Sequence, residues 1–272
     1  MSSVLLSFDT EEFDVPREHG VDIPLEESMR ISRHGINRVL DVLEANGVRA
    51  TFFCTSNFAE NAPEEMERIM KGGHEIAAHG CDHWNPKPSD VQNSKRILEK
   101  ITGREVLGYR QPRMFPVSES EIARCGYLYN SSLNPTFIPG KYMHLSTPRT
   151  PFMLDGVLQI PASVTPWVRF PMFWLSLHHL PASLYRRLAR RCLRHDGHFT
   201  TYFHPWEFYP TGDRKDLKLS FVHNRNAGER MVSRLDALVK DLKATGAEFE
   251  TYTPFARRKI AALEGNQSNI AE

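Results

Sequence analysis

His74-Glu75-Ile76-Ala77-Ala78-His79-Gly80-Cys81-Asp82-His83 runs from a strand-like stretch straight into two histidines four positions apart. Two imidazoles at that spacing can reach one metal ion from a single helical turn or a tight loop. Gly80 between them suits a close backbone approach. The same pair would also suit two exposed loop histidines, so the placement has to be weighed against the rest of the chain.

Working outward, the arrangement recurs. Val4-Leu5-Leu6-Ser7-Phe8 reads as a buried strand and ends in Asp9-Thr10-Glu11. Glu12 and Asp14 follow, so an acidic turn in solvent is the plain alternative for these carboxylates. Val106 to Tyr109 reads as a strand and leads into Arg110-Gln111-Pro112-Arg113. An arginine there can pair with a site carboxylate and keep it ionised. Phe199 to Phe203 is a late strand, followed by His204-Pro205-Trp206-Glu207. A histidine at a strand end can do acid–base work. Four candidate groups thus follow four separate strands, and active sites of α/β proteins lie at that end of the sheet. Two carboxylates, two histidines at metal spacing, an arginine and a distant histidine are the equipment of metal-assisted hydrolysis.

Helical segments fill the intervals. Residues 26–46 carry Met29, Ile31, Ile36, Val39, Leu40 and Leu43 at helical period and stop at Asn46-Gly47. A helix opens at Pro63, and Ser89 is placed to cap another. Ser118 and Glu121 form a capping-box pattern. Met231 to Leu242 is helical, Phe249 to Tyr252 a last strand, and Pro254 starts a terminal helix. Such alternation predicts a parallel α/β sheet, in a number of units that favours a barrel. The expectation is a single domain over residues 1–264 and a flexible tail over 265–272. Residues 133–181 hold eight prolines and read as a long irregular insertion shaping the site. Trp167, Phe170, Phe173 and Trp174 fall within it.

Composition narrows the function classes. The 272 residues are 40% hydrophobic and 25% charged, which allows a sizeable core. A formal charge of +1 gives no general attraction for nucleic acid or anionic membranes. Cys54, Cys81, Cys125 and Cys192 are too widely spaced for a disulfide framework and read as free thiols. No stretch has the apolar length of a membrane span. Met1-Ser2-Ser3 leads into a strand without a basic or long apolar leader, so a cytoplasmic protein is expected.

Taken together, these motifs resemble the polysaccharide deacetylase family, also called the NodB-homology or carbohydrate esterase 4 family. Phe8-Asp9-Thr10-Glu11 is similar to its first motif, although many members have adjacent aspartates there. His79 to His83 is similar to its His-x-x-x-His motif, Arg110 to Arg113 to its third and Phe203-His204-Pro205 to its last. The resemblance implies a distorted (β/α) barrel of seven or eight strands. It implies Asp9 as general base, Glu11, His79 and His83 as ligands of a divalent metal, zinc being the ion expected, and His204 as general acid. Arg110 would orient Asp9, and backbone near Arg113 would help hold an oxyanion. The Asp-Trp motif that usually supports the histidine is not evident, which leaves Glu207 or Asp155 to support His204. Arg113, Trp206, Glu207 and Trp167 are the candidate substrate contacts. The implied reaction removes an N-acetyl group from an acetamido sugar, nucleotide- or lipid-linked, in surface-polysaccharide synthesis. The alternatives are an allantoinase-like cyclic-amide hydrolase and a non-catalytic sugar-binding protein.

Overall fold

A computed structural model describes residues 2–140 and 142–268. Its strands are β1 (Ser3–Thr10), β2 (Thr51–Cys54), β3 (Glu75–Ala78), β4 (Gly108–Tyr109), β5 (Tyr129–Asn130), β6 (Phe137–Ile138), β7 (Tyr142–Met143), β8 (Phe152–Leu154), β9 (Val157–Gln159), β10 (His198–Phe203) and β11 (Glu248–Phe249). Its helices are α1 (Leu25–Asn46), α2 (Ser56–Asn61), α3 (Pro63–Lys71), α4 (Asp90–Thr102), α5 (Glu119–Arg124), α6 (Trp174–His179), α7 (Ala182–Asp196), α8 (Phe221–Asn224), α9 (Glu229–Lys243) and α10 (Tyr252–Ser268).

Every residue of β1 is buried, as expected of a strand covered on both faces in a parallel sheet. It lies between β10 and β2, and all three run parallel. The main sheet has the order β10-β1-β2-β3-β4-β5-β9-β8, with β11 also pairing with β1. Only β8 runs antiparallel to its neighbour. The sheet curls into the distorted barrel that the sequence predicts, with eight strands on one hydrogen-bonded path. Its two ends, β8 and β10, are not joined by a ladder among the described residues. The Ser163 N–H donates to the Thr200 carbonyl at 2.9 Å, and the Thr200 N–H donates to Ser163 Oγ at 2.9 Å. These bonds lace the gap.

Several elements differ from the sequence reading, each for a local reason. Ser89 makes no side-chain cap; Asp90 accepts the Lys87 N–H instead. The strand expected over 106–109 shortens to β4 because side chains of α4 occupy the Val106 backbone: Glu99 accepts its N–H at 3.1 Å and Lys95 donates to its carbonyl. The strand expected over 249–252 ends at Phe249, and α10 already starts at Tyr252, whose N–H donates to Thr51 Oγ1. Residues 133–181 are not irregular throughout. They hold the hairpin β6–β7, the hairpin β8–β9 and α6. Within the expected tail 265–272, α10 continues through Ser268, and residues 269–272 lie outside those described. The sequence reading also passed over α7, whose Tyr185, Ala189, Cys192 and Leu193 face the core at helical spacing.

His74 illustrates how burial couples this fold to pH. Its Nδ1 accepts the Ala50 N–H at 3.2 Å, just before β3. Burial, aided by Arg49 and Arg68, pulls its pKa from 6.5 down to about 4. Between those values the unfolded chain takes up a proton that the folded chain refuses. The contribution is therefore fully present above pH 6.5 and is lost as pH falls towards 4, on the order of 3 kcal/mol at most. Urea unfolding at pH 7 and pH 4.5 should show a smaller drop for His74→Asn than for the parent. Asparagine can still accept the Ala50 N–H but does not titrate. Equal drops would rule the histidine out.

Candidate metal and catalytic site

Four strand ends bring the chemistry together. Asp9 is the penultimate residue of β1, and Glu11 follows that strand directly. His79 follows β3, and its N–H extends the ladder to the Cys54 carbonyl at 2.9 Å. Arg110 follows β4, with its N–H on the Ala78 carbonyl at 2.9 Å. His204 follows β10. At Gly80, φ is +70° and an added Cβ would meet Pro112 Cγ at 2.9 Å, so the turn between the histidines requires glycine.

Glu11, His79 and His83 form one cluster. Glu11 Oε2 lies 3.3 Å from His79 Nε2 and 3.0 Å from His83 Nε2. The hydrogen inventory fixes what these nitrogens present. His79 Nδ1 is 2.8 Å from the Arg110 carbonyl, which only accepts, so Nδ1 carries the hydrogen. His83 Nδ1 is 2.7 Å from the Asp14 carboxylate and donates likewise. Burial pushes the His79 pKa down to about 3, so this ring is neutral near pH 7. Its Nε2 therefore presents a lone pair, and His83 Nε2 faces the same Glu11 oxygen. Glu11 Oε2 is buried and has no hydrogen-bond partner. Burial raises the Glu11 carboxyl well above its ordinary range, and Asp14, Asp9 and Glu12 add to the rise. Ionised Glu11 would place three acceptors together with no donor between them, which is the environment a cation relieves. One oxygen and two imidazole nitrogens within 4.8 Å of one another suit a divalent ion, and the Asp14 and Arg110 contacts orient the rings as metal-site histidines require.

Asp9 is also buried but is held differently. Arg110, itself 1% exposed, pairs directly with Asp9 Oδ1. Its other nitrogens donate to the Ser131 carbonyl and to Ser131 Oγ, both at 2.9 Å. Its guanidinium lies 3.9 Å over the Phe53 ring. Burial alone would raise the Asp9 pKa; Arg110, with His79 and His204 adding to it, outweighs burial and holds the carboxyl below its usual value.

On the opposite side, His204 Nε2 is 4.0 Å from Asp9 Oδ2. His204-Pro205-Trp206-Glu207 forms a short 3₁₀ turn with proline at its start and glutamate at its third position. That pattern makes a capping box, so Glu207 Oε1 accepts both the His204 N–H at 2.6 Å and Nδ1 at 2.8 Å. Trp206 stacks on the His204 ring and Trp174 meets it edge-on. Gly35 of α1 lets the helix seat against this turn; a Cβ there would lie 1.7 Å from the Pro205 carbonyl oxygen.

The sequence-based candidates are distributed as follows. Asp9, Glu11, His79, His83, Arg113, His204 and Trp206 line one pocket of about 590 Å³. Arg110 and Glu207 stand behind it, touching Asp9 and His204. Trp167 is 80% exposed and is not among the lining residues. Arg113 and Met114 are consecutive left-handed residues, φ 57° and 52°, and Arg113 pairs with Glu18 at 2.7 Å. Asp82 is spent on a turn, accepting the Trp84 and Asn85 N–H groups, and Asp155 is exposed on the β8–β9 turn. The sequence reading missed Asp14 and Glu12, which are buried. Glu12 accepts the His83 N–H at 3.2 Å and the Thr55 hydroxyl at 2.8 Å. An acidic run with Phe13 inside it is the signal that could have found them.

Comparison with known proteins agrees with this geometry. Residues 3–116 match the family model described as polysaccharide deacetylase. Residues 131–250 match a second one, described as domain of unknown function DUF3473. A peptidoglycan deacetylase of Helicobacter pylori is 29% identical over 108 residues, 36% of this chain and 37% of that one. A peptidoglycan-N-acetylmuramic acid deacetylase of Bacillus subtilis is 32% identical over 100 residues, 33% and 38% of the two chains. The chain thus spans little more than a third of the length of these relatives. A crystal structure titled a candidate polysaccharide deacetylase from Mycobacterium smegmatis superposes over 96% of this chain and 90% of its own, with TM-score 0.67 and 18% identity. That likeness shows the fold. Through residues 3–116 the chain is thus similar to the polysaccharide deacetylase family.

Proposed function

We propose that this protein is a metal-dependent hydrolase that removes the N-acetyl group from an acetamido sugar. The observation that carries the reading is the buried trio Glu11 Oε2, His79 Nε2 and His83 Nε2, all within 4.8 Å of one another and flanked by a carboxylate and a histidine in opposite settings. A divalent ion held by that trio, zinc in our reading, supplies Lewis acidity to water and to the acetyl carbonyl oxygen.

The chain's own groups do the remaining work. Asp9, kept ionised by Arg110, takes a proton from water as its oxygen bonds to the acetyl carbon. His204, its Nδ1 hydrogen engaged by Glu207, directs Nε2 into the pocket and donates a proton from it to the departing amine. The C–N bond breaks, releasing acetate and an amino sugar. The largely buried rings of Trp206, Trp174 and Tyr142 line the pocket, and Arg113 lines it as well. We further propose that the substrate is a precursor on a nucleotide or lipid carrier.

Asp9→Asn should keep its metal and lose activity by about 10²–10⁴-fold, the range for a general base. His204→Ala should lose a similar factor on an N-acetyl sugar but much less on an aryl acetate, whose leaving group needs little protonation. Acetate release with elemental analysis reads both. Equal losses on the two substrates would remove His204 from the role of acid. Preference for long chitin-like or peptidoglycan polymers over acetamido-sugar precursors would overturn the carrier assignment and leave the chemistry intact.

A further inference from the structure

Behind the proposed acid lies a second histidine that the mechanism above does not use. His178 of α6 is completely buried. Its Nε2 is 2.9 Å from Glu207 Oε2, the oxygen that His204 does not occupy. Its Nδ1 is 2.6 Å from the Arg225 carbonyl oxygen. A backbone carbonyl only accepts, so Nδ1 must carry a hydrogen. Glu207 is held as a carboxylate: burial opposes its ionisation, but the hydrogen bonds from His178 and His204 outweigh that and keep its pKa below the ordinary value. Its Oε1 already receives two donors. Oε2 therefore also accepts, and the second ring nitrogen of His178 must carry a hydrogen too.

We infer that His178 is a positioning residue that stands behind Glu207 as a doubly protonated cation, fixing the His204 tautomer and tempering its basicity. The inference rests on His204 being the acid of the proposed reaction.

The electrostatic consequence follows from distance. A carboxylate alone behind His204 would stabilise its protonated form and weaken it as an acid. A cation on the far side of that carboxylate cancels part of the field, so His204 gives up its proton more readily. Asp9 lies 4.0 Å from His204 on the pocket side. Trp174 separates His204 from His223, whose ring stacks on the indole. His179 adjoins His178 on α6 with ring centroids 6.2 Å apart. From α9, Arg234 donates to the Leu177 and Leu180 carbonyls, and from the segment after α8 the Arg225 guanidinium lies over Phe221.

His178→Gln keeps a donor towards Glu207 but removes the cation. With ¹⁵N-labelled histidine in the full-length, metal-loaded protein, both ring nitrogens of His178 should read as protonated at pH 7. In His178→Gln the titration of the His204 ring should move to higher pH by about one unit, the effect of deleting one charge several ångströms away. Deacetylation should follow: the alkaline limb of kcat moves up by a similar amount, kcat on an N-acetyl sugar falls about tenfold, and KM and the rate on an aryl acetate hardly change. His178→Lys, if it folds, should restore the lower titration. A bare ring nitrogen at His178 would overturn the inference, as would an unmoved His204 titration in a folded His178→Gln. A protein that shows the expected nitrogen signals and shifts but turns over no acetylated sugar would sink the deacetylase reading and leave the His178 assignment standing.

Discussion

Replacing His79 or His83 with alanine is expected to take bound metal from one ion per chain to background and to abolish acetate release. The trio has no spare donor: Asp9 is committed to Arg110, and Asp14 to the far nitrogen of His83. A site with three protein ligands does not survive the loss of one. Asp14→Asn gives a graded contrast. It leaves all three donors in place but weakens the hold on the His83 ring, so affinity should fall by about 10–100-fold without vanishing. Elemental analysis of the purified variants, with zinc titration of the apo-proteins, reads both effects. Full occupancy in the His79→Ala, His83→Ala double variant would end the ligand assignment.

Arg110→Met should be the most destabilising single change in the site. Arg110 and Asp9 are both buried, and removing the cation leaves an uncompensated carboxylate, at a cost of about 3–5 kcal/mol. With Arg110 present, the Asp9 pKa is lower in the folded than in the unfolded chain. Its contribution is thus present above the unfolded value of 3.8 and lost as pH falls through the folded one. Without Arg110, burial meets only the weaker opposition of His79 and His204, and the acid limb of activity should move upward. The double variant Asp9→Asn, Arg110→Met should recover most of the lost stability, because no buried charge remains to be matched. Denaturant midpoints across the four proteins make the test. A double variant no more stable than Arg110→Met would mean that the arginine's packing over Phe53, rather than its charge, is what matters.

Residues that follow directly from a strand were the ones sequence could find. Asp9, His79, Arg110 and His204 each sit at the end of an apolar run, so the sheet itself dictates where they converge. The groups that orient them were harder to see, because their partners are set by tertiary folding. Asp14 meets His83 across 69 positions, and Ser131 meets Arg110 across 21. His178 meets Glu207 across 29 positions, from a helix inside the stretch that its prolines made look irregular. Trp167 misled for the opposite reason: aromatic composition does not say which way a loop turns, and its left-handed backbone, φ 72°, sits in a tip that carries the ring into solvent. Glu207 was within reach because its partner is only three residues away.

A ring of strands closed by hydrogen bonds has its girth fixed by strand number and stagger. Here, among the described residues, the two ends are not paired, and the gap is fastened by a clasp where Ser163 meets Thr200. Glu11, His79, His83 and Arg110 belong to the stretch that runs from the end of β1 to just past β4, on the unbroken arc. Leu133, Tyr142 and Trp174, on the wall that faces them, lie in the stretch that leads to and from the clasp. Lengthening or reshaping that stretch can change the space in the pocket without shifting the register of the strands that carry Glu11, His79 and His83. On the proposed reading, specificity and chemistry are then separable parts, and changes confined to that stretch should alter which sugar is taken while Glu11, His79 and His83 keep their geometry.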